Sequence, residues 1–378
     1  MKAEMRKLFS ALLAGSVAAM SLSGCVSTIQ KVEESDYATT VVAEYNGEKV
    51  MLDEARFLAI LDQYTYEQMY TIYGLDINGL WTQEAGAGSN QTMESYVKTE
   101  TMKRLLKTKL LCSKAAEYGV TLSEDDKAAV EDEVTEFFDT TTEKLTKASG
   151  ATEELVRKIY TDNALANRVY DYMVKDTDLK VDPADFRQWK VSYLKVEAKE
   201  DAENDTTDYD KLTEELLEKA KDAVKKQDAE QEEAEKKAAE EEDEAEEELP
   251  ITFDDYSDAF REVYDQYTDA ENYTVTTSTV HFAKGSTSYT FVEKACEMKQ
   301  GEFATFKDED GAHYVLYLES DYDQESTTEA VQDEVDNRCA KNFDEKYKAI
   351  VESVEPSVVY DKIWANVSFD QGVYSLGE

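Results

Sequence analysis

The sequence predicts a mainly helical α+β protein. Proline, which breaks helices, occurs only at Pro183, Pro250 and Pro356, while the helix formers Glu, Lys and Ala are abundant. Long stretches place apolar residues at helical spacing, and a few short stretches alternate apolar and polar residues as strands do. Apolar residues make up 41% of the chain, which is enough for a core. The length of 378 residues suggests two domains of ~150 residues each.

The first 24 residues predict a secretory signal. Basic residues precede an apolar run over 8–20, which is short of the ~20 residues that cross a membrane. The run Leu-Ser-Gly-Cys that ends at Cys25 resembles the lipobox of bacterial lipoproteins. That resemblance implies that the Cys25 thiol is acylated, which would tether the protein to the outer face of the cytoplasmic membrane through residues 25–38. An ordinary signal peptide with a chance cysteine is the alternative.

Residues 39–189 predict a helical domain that opens with a hairpin. Asn46-Gly47 separates two short apolar stretches, and both turn residues tolerate the positive φ that a tight hairpin needs. Residues 74–92 contain glycine and polar residues and predict a loop. Helices are expected over 53–73, 93–118, from Ser123 onwards and over 152–174.

One segment of the chain is densely acidic. We expect residues 198–249 to form an acidic insert, and residues 228–248 alone hold thirteen acidic and two basic residues. A solvated helical arm or a disordered segment is the expected structure. The formal net charge of −43 disfavours nucleic-acid binding and direct docking on anionic lipid, since both need basic patches. It favours basic partners.

Ordered structure is expected again from Phe253 to the end of the chain. Strands are expected over 191–196, 275–282, 303–306 and 313–318, and helices over 253–264, 289–298 and 325–353. The last residues, 358–360 and 363–367, alternate like strands.

Two runs in this region carry a family resemblance. The run Phe-Val-Glu-Lys-Ala-Cys-Glu-Met-Lys-Gln-Gly-Glu-Phe over 291–303 and Gly-Ala-His-Tyr-Val-Leu over 311–316 resemble parvulin-type peptidyl-prolyl isomerases. With the lipobox, the opening hairpin and the helices, the layout is similar to PrsA- and SurA-type foldases. The resemblance implies a helical chaperone domain, 39–189, completed by the C-terminal helix and strands of 323–378. A parvulin-like module, 190–322, would be inserted between them.

The resemblance also implies a site. Phe291 and Met298 would line a substrate slot for proline, and His313 would be the catalytic residue that orients a hydrogen-bond network beneath it. Compared with the resembled family, the first strand lacks the usual histidine, the methionine of the slot would fall near Thr287, and Asp310 stands where an aromatic residue is usual. We therefore expect a weak or inactive isomerase. An active isomerase and a surface-binding lipoprotein without a folding role remain the alternatives.

No cofactor or metal is expected. His281 has no motif around it and is interpreted as structural, and the spacing of the remaining cysteines does not predict a zinc site. A disulfide between two of Cys112, Cys296 and Cys339 stays open, as does the oligomeric state.

The expected partners are unfolded or partly folded secreted proteins. The first long helix carries adaptable apolar side chains that could line a cradle for them, although ordinary core packing is the alternative. These side chains are Tyr64, Tyr66, Met69, Tyr70 and Tyr73.

Overall fold

The computed structural model describes residues 29–200, 202, 205–241 and 255–374. Within them the predicted fold class, mainly helical α+β, is confirmed, with two small antiparallel sheets. The proposed signal over 1–24, the lipidation residue Cys25 and the most acidic stretch beyond 241 lie outside the described residues. The chain divides into a helical unit, up to residue 178 and from 337 onwards, and a sheet unit, 179–336.

From residue 29 to residue 374, the helical unit contains five consecutive α-helices, a three-stranded sheet and the C-terminal part of the described chain. Its strands are β1 (Val41–Tyr45), β2 (Glu48–Met51) and β7 (Val358–Val359), in the order β2-β1-β7. Its consecutive helices are α1 (Leu52–Ile72), α2 (Met93–Tyr118), α3 (Glu124–Thr140), α4 (Glu143–Ser149) and α5 (Glu153–Val174).

The predicted hairpin is present. Tyr45 pairs with Glu48 across a two-residue turn, in which Asn46 has φ 51° and Gly47 has φ 83°. Both values lie in the left-handed region that Asn and Gly tolerate best. The hairpin leads directly into α1. The Glu54 carboxylate stabilises the start of that helix, because it accepts a hydrogen bond from the Met51 amide.

Caps and a buried ion pair fix the helices of this unit. The Thr92 hydroxyl caps the start of α2, and Gly119 with φ 66° ends it, at the bounds 93–118 that the sequence predicted. The Lys109 ammonium lies 2.9 Å from the buried Glu54 carboxylate and 2.6 Å from Asp162. Burial lowers the pKa of Lys109, but the two carboxylates outweigh it and raise that pKa. The amine therefore stays charged and joins α1, α2 and α5.

Over its described residues, the sheet unit has four antiparallel strands with helices on both faces. The strands are β3 (Gln188–Ala198), β4 (Tyr273–Ala283), β5 (Phe303–Lys307) and β6 (His313–Ser320), in the order β4-β3-β6-β5. The helices are α6 (Tyr209–Glu241), α7 (Ser257–Tyr264), the short α8 (Val292–Cys296) and the first part of α9 (Gln324–Ser353). Apolar residues of α6 and α7 pack on one face of the sheet, and those of α8 pack on the other.

The expected acidic insert over 198–249 is wrong in its first half. There α6 places an apolar side chain at every fourth position, Leu212, Leu216, Ala220 and Val224, and all four are buried in the core of the sheet unit. This spacing is that of a helix face, and it is hidden when composition is averaged over the whole segment. The dense acidic residues begin only after this stripe ends.

The C-terminal end differs from the expectation in one element. Residues 363–367 were expected to be strand-like, but Asp361–Trp364 forms a short helix, α10. The Trp364 amide donates to the Tyr360 carbonyl at 2.9 Å, and the Trp364 ring is buried in the helical unit. Core burial of this ring on a helical turn therefore outweighs the β-branched composition.

The observed division at 178/179 and 336/337 differs from the division at 189/190 and 322/323 that the sequence suggested. The later position of the second boundary is explained by a pair of hydrogen bonds between the start of α9 and the start of β3. The Asp323 amide donates to the Gln188 carbonyl at 2.9 Å, and the Gln188 amide donates to the Thr327 hydroxyl at 3.0 Å. The first turns of α9 therefore belong to the sheet unit.

Three further observations concern the described part of the chain. None of its helices combines the length and apolar character that a membrane crossing requires. Its His, Cys, Asp and Glu side chains form no group of three or more that could hold a metal ion. Cys112, Cys296 and Cys339 are free thiols, and burial raises the pKa of Cys112 to about 12, so this thiol is protonated at neutral pH.

Candidate functional site

The C-terminal end of α1 presents an exposed apolar surface. Four large apolar side chains within seven residues are solvent-exposed: Met69 by 42%, Ile72 by 68%, Tyr73 by 75% and Leu75 by 54%. We call these four residues the α1 tip. Single exposed apolar residues are ordinary, but several together mark an interaction surface.

The α1 tip is ordered because the helix ends in a specific motif. Gly74, with φ 69°, donates its amide to the Thr71 carbonyl at 3.0 Å, and the Leu75 amide donates to the Tyr70 carbonyl at 2.8 Å. These two bonds form a Schellman cap, which needs a residue such as glycine at the left-handed position. Leu75 is thereby fixed at the helix end rather than placed in a free loop.

The five residues of the expected cradle lie in two different environments. Tyr64, Tyr66 and Tyr70 pack against the core of the helical unit, whereas Met69 and Tyr73 face solvent. The sequence reasoning missed two members of the tip, Ile72 and Leu75. The sequence contained a signal for both, because apolar residues stand on both sides of Gly74, beyond the buried stripe of α1.

In the sheet unit, Phe291 is the centre of an aromatic cluster on the α8 face. Its ring centroid lies 5.3 Å from Tyr193, 5.3 Å from Tyr289, 5.4 Å from Tyr314 and 6.1 Å from Phe282. The Phe291 side chain is 1% exposed. The rings therefore close around it as a packed core, not as an open slot.

Met298 belongs to the same buried cluster. It lies at the end of the turn that follows α8 and is 7% exposed. The structure thus brings together Phe291 and Met298, two of the three residues singled out in the sequence. Tyr193, on the strand where the resembled family carries a histidine, was missed, although its position in an alternating strand was a usable signal.

His313 lies on the opposite face of the sheet. Successive residues of a strand point to opposite faces, and Tyr314 is the one that joins Phe291. The His313 ring stacks on Tyr209 at 5.9 Å, and its Nδ1 lies 3.6 Å from the Asp210 carboxylate, both at the start of α6. The structure therefore does not bring His313 to Phe291 and Met298.

The surroundings of His313 favour its neutral form. Burial lowers its pKa, the nearby Lys307 ammonium lowers it further, and Asp210 opposes them. A neutral imidazole packed on the Tyr209 ring is typical of a histidine with a structural role. The His281 side chain is 40% exposed, with its Nε2 4.0 Å from the Asp323 carboxylate, and its interpretation as structural stays a prediction.

The sequence matches no family model, and no curated protein matches it. Among solved structures, it aligns with one of the two structurally related SurA-like chaperones, PEB4 and Cj1289, of Campylobacter jejuni. The identity is 10%, the alignment covers 85% of this chain and 98% of that one, and the TM-score is 0.27.

A second solved structure, PrsA from Bacillus subtilis, aligns at 14% identity over 82% of this chain and 93% of that one, with a TM-score of 0.21. Both TM-scores lie below 0.5, so these alignments show only that the chain can be paired with such proteins along most of its length.

Proposed function

We propose that the protein is an extracytoplasmic chaperone that holds unfolded or partly folded secreted proteins. The observation that carries this proposal is the α1 tip, an ordered surface with four exposed apolar side chains. A second support is the resemblance of the sequence layout to lipid-anchored foldases. The sheet unit is proposed to be a parvulin-like module with weak or no isomerase activity.

The size of the α1 tip suits reversible holding. Burying one large apolar side chain completely contributes ~1.5–3 kcal/mol, and the four tip residues start from partial exposure. Association itself costs ~4–15 kcal/mol, so contact with the tip alone is weak. Stable holding would require further contacts along the same unfolded chain, which an unfolded chain can provide and a folded protein cannot.

Weak or absent isomerisation is supported by the positions of the expected site residues. Rotation about a prolyl bond has a barrier of ~20 kcal/mol, and catalysis needs a slot that holds the proline ring in the twisted state. Phe291 is enclosed by other rings, and His313 lies on the other face of the sheet. Neither residue is placed to act on a bound proline in this arrangement.

The charge of the chain would select among clients. A formal net charge of −43 attracts basic segments and repels acidic ones. If charge contributes to holding, aggregation suppression should weaken steeply between 0.01 and 0.5 M salt, because the screening length falls from ~30 Å to well below 10 Å. Salt-independent holding would assign the contact to the apolar tip alone.

We propose that a lipid on Cys25 attaches the protein to the membrane. Nucleic acid is not among the proposed partners. The Cys25→Ser variant should incorporate no radiolabelled palmitate and should be released or remain uncleaved. Normal processing and membrane attachment of this variant would contradict the lipid anchor and leave the ordinary signal peptide as the explanation.

The proposed function is tested by an aggregation assay run beside a prolyl-isomerisation assay. The double variant Tyr73→Ser/Leu75→Ser should lose most of its ability to suppress aggregation of a chemically unfolded secreted protein. The matched control is Tyr322→Ser/Leu179→Ser, since Leu179 is as exposed as Leu75, at 54%, but lies in the sheet unit.

Each alternative function has its own outcome in this pair of assays. Activity on a proline tetrapeptide that falls in His313→Ala would support an active isomerase. Failure of the wild type to suppress aggregation would leave a surface-binding lipoprotein without a folding role. Equal losses in the tip variant and the control would contradict the assignment of holding to the α1 tip.

A further inference from the structure

The last described residues of the chain, 367–374, lie in the helical unit without helical or strand structure. We call them the C-terminal strap. Among the described residues, no backbone-to-backbone hydrogen bond fixes 368–374; side chains bind the strap instead. The Lys98 ammonium on α2 donates to the Val367 carbonyl, and the Gln63 side-chain amide on α1 donates to the Gln371 carbonyl at 2.9 Å.

A buried carboxylate binds the end of the strap. Glu67 on α1 is 1% exposed, and its Oε2 accepts hydrogen bonds from the Val373 amide at 2.7 Å and the Tyr374 amide at 2.9 Å. Its Oε1 accepts from the Trp81 indole at 3.0 Å and the Gln63 amide at 2.7 Å. A buried carboxylate is costly unless its oxygens accept hydrogen bonds. The two strap amides therefore stabilise the Glu67 side chain in its buried position on α1.

Apolar side chains of the strap fill the groove beside this carboxylate. The Phe369 ring contacts the Trp81 indole edge-on, with 4.6 Å between centroids, and Phe369 is 3% exposed. Val373 is 4% exposed, and the Tyr374 ring lies 5.3 Å from Tyr64, again edge-on. The strap thus contributes aromatic and aliphatic side chains between side chains of α1 and the turn at Trp81.

The strap is held as an irregular peptide segment that turns two successive amides towards one carboxylate oxygen, and not as a sheet strand or a helix partner. Side chains of the groove form hydrogen bonds with backbone carbonyl and amide groups, which every peptide has. Apolar contacts lie between these hydrogen bonds. The Gln63 Oε1 atom is buried and has no hydrogen-bond partner among the described residues, so the groove retains an acceptor that the strap does not use. Nothing in the hydrogen bonds of this groove depends on the identity of the bound side chains.

We propose that the groove formed by Gln63, Glu67, Trp81 and Tyr64 is a peptide-binding site that the C-terminal strap occupies in cis. Its ligand class is a non-helical segment that turns two successive free amides towards one carboxylate and carries an aromatic residue near them. An unfolded segment would compete with the strap for this groove. The inference rests on the proposed function and deepens it, because Glu67 lies on α1, which ends at the α1 tip, and a released groove would supply the further contacts that holding requires.

The test uses full-length protein and a fluorescent peptide with the sequence of residues 366–378. The variant Phe369→Asp/Val373→Asp frees the groove and leaves its own residues intact. We expect it to bind the peptide saturably, at least tenfold more tightly than the wild type, whose groove is occupied. Adding Trp81→Ala to this variant should weaken binding by at least tenfold. A freed variant that remains folded by circular dichroism and binds no better than the wild type would overturn the proposal.

A second measurement on the wild type covers the case in which that variant does not fold. Hydrogen exchange at the Val373 and Tyr374 amides should be at least tenfold faster than at the Val42 amide in the hairpin, because a strap opens without global unfolding. Equal exchange at the three amides would make the strap part of the permanent core and would overturn the proposal. Neither experiment uses a client, so a failure here is distinguishable from a failure of the aggregation assay.

Discussion

The α1 tip and the Phe291 cluster contain similar side chains in opposite situations. Both are rich in large apolar residues, but Tyr73 in the tip is 75% exposed and Phe291 in the cluster is 1% exposed. A helix cap fixes the backbone of the tip while its side chains stay exposed to solvent. In the cluster, the rings pack against one another. Composition alone therefore does not identify a binding surface in this chain; exposure on an ordered element does.

The largest effect is expected at the centre of the cluster. Phe291→Ala removes a ring that contacts four others, and a buried Phe-to-Ala change costs ~3–5 kcal/mol. Urea unfolding of the sheet unit, followed by Trp189 fluorescence, measures this loss. A loss below ~1 kcal/mol would mean that the ring lies in an open slot, and the contrast with the tip would fail.

The two halves of α6 should differ nearly as much. Leu216 is fully buried against the sheet, so Leu216→Ala should destabilise the sheet unit by ~2–5 kcal/mol. Substituting Lys for Glu230, Glu232 and Glu233, which follow the apolar stripe, should change the free energy of unfolding by no more than ~0.5 kcal/mol per residue. Equal effects at both ends would restore the view of the whole segment as a solvated insert.

A smaller effect is expected from the pH dependence of His313. Because burial and Lys307 lower its pKa in the folded state, the unfolded chain takes up the proton first as the pH falls. The stability from neutral His313 is fully present above ~6.5, the ordinary histidine pKa, and declines as the pH falls towards the lower folded pKa.

The variant His313→Gln should lose less stability than the wild type between pH 7 and pH 5, as measured by urea unfolding at each pH. His281→Gln is the control, because this histidine is 40% exposed on its side chain. A wild type and a His313→Gln variant with the same pH profile would show that the imidazole is not buried against α6.

The smallest effect on stability is expected at the tip itself. Tyr73→Ser and Leu75→Ser remove side chains that are mostly in water, so each should change the free energy of unfolding by at most ~0.5 kcal/mol. Thermal unfolding of the helical unit checks this. A loss of several kcal/mol would show that the tip packs against other parts of the protein and is not free for a partner.

Local signals predicted the fold well. Asn46-Gly47 identified the hairpin, and Ser123 identified the start of α3, because turn and cap geometry depends on adjacent residues. The short helix Asp361–Trp364 was missed because the burial of Trp364, a distant interaction, decides its structure.

The candidate site was harder to predict. A strand forces His313 and Tyr314 to opposite faces, but the sequence does not say which face α8 covers, so His313 and Phe291 could not be separated in advance. The contact of Glu67 with Val373 joins residues 306 positions apart, and no periodicity links them. The α1 tip could have been found in full, since Ile72 and Leu75 continue the apolar residues of α1 beyond its buried face.

The central claim is that an unfolded client contacts the exposed α1 tip. Its most direct test is photo-cross-linking, with a photoreactive phenylalanine analogue placed at position 73 or, as the control, at position 322, another exposed tyrosine. With an unfolded secreted protein present, position 73 should form a cross-linked product and position 322 should form little or none. No product at position 73, or equal products at both positions, would contradict the account.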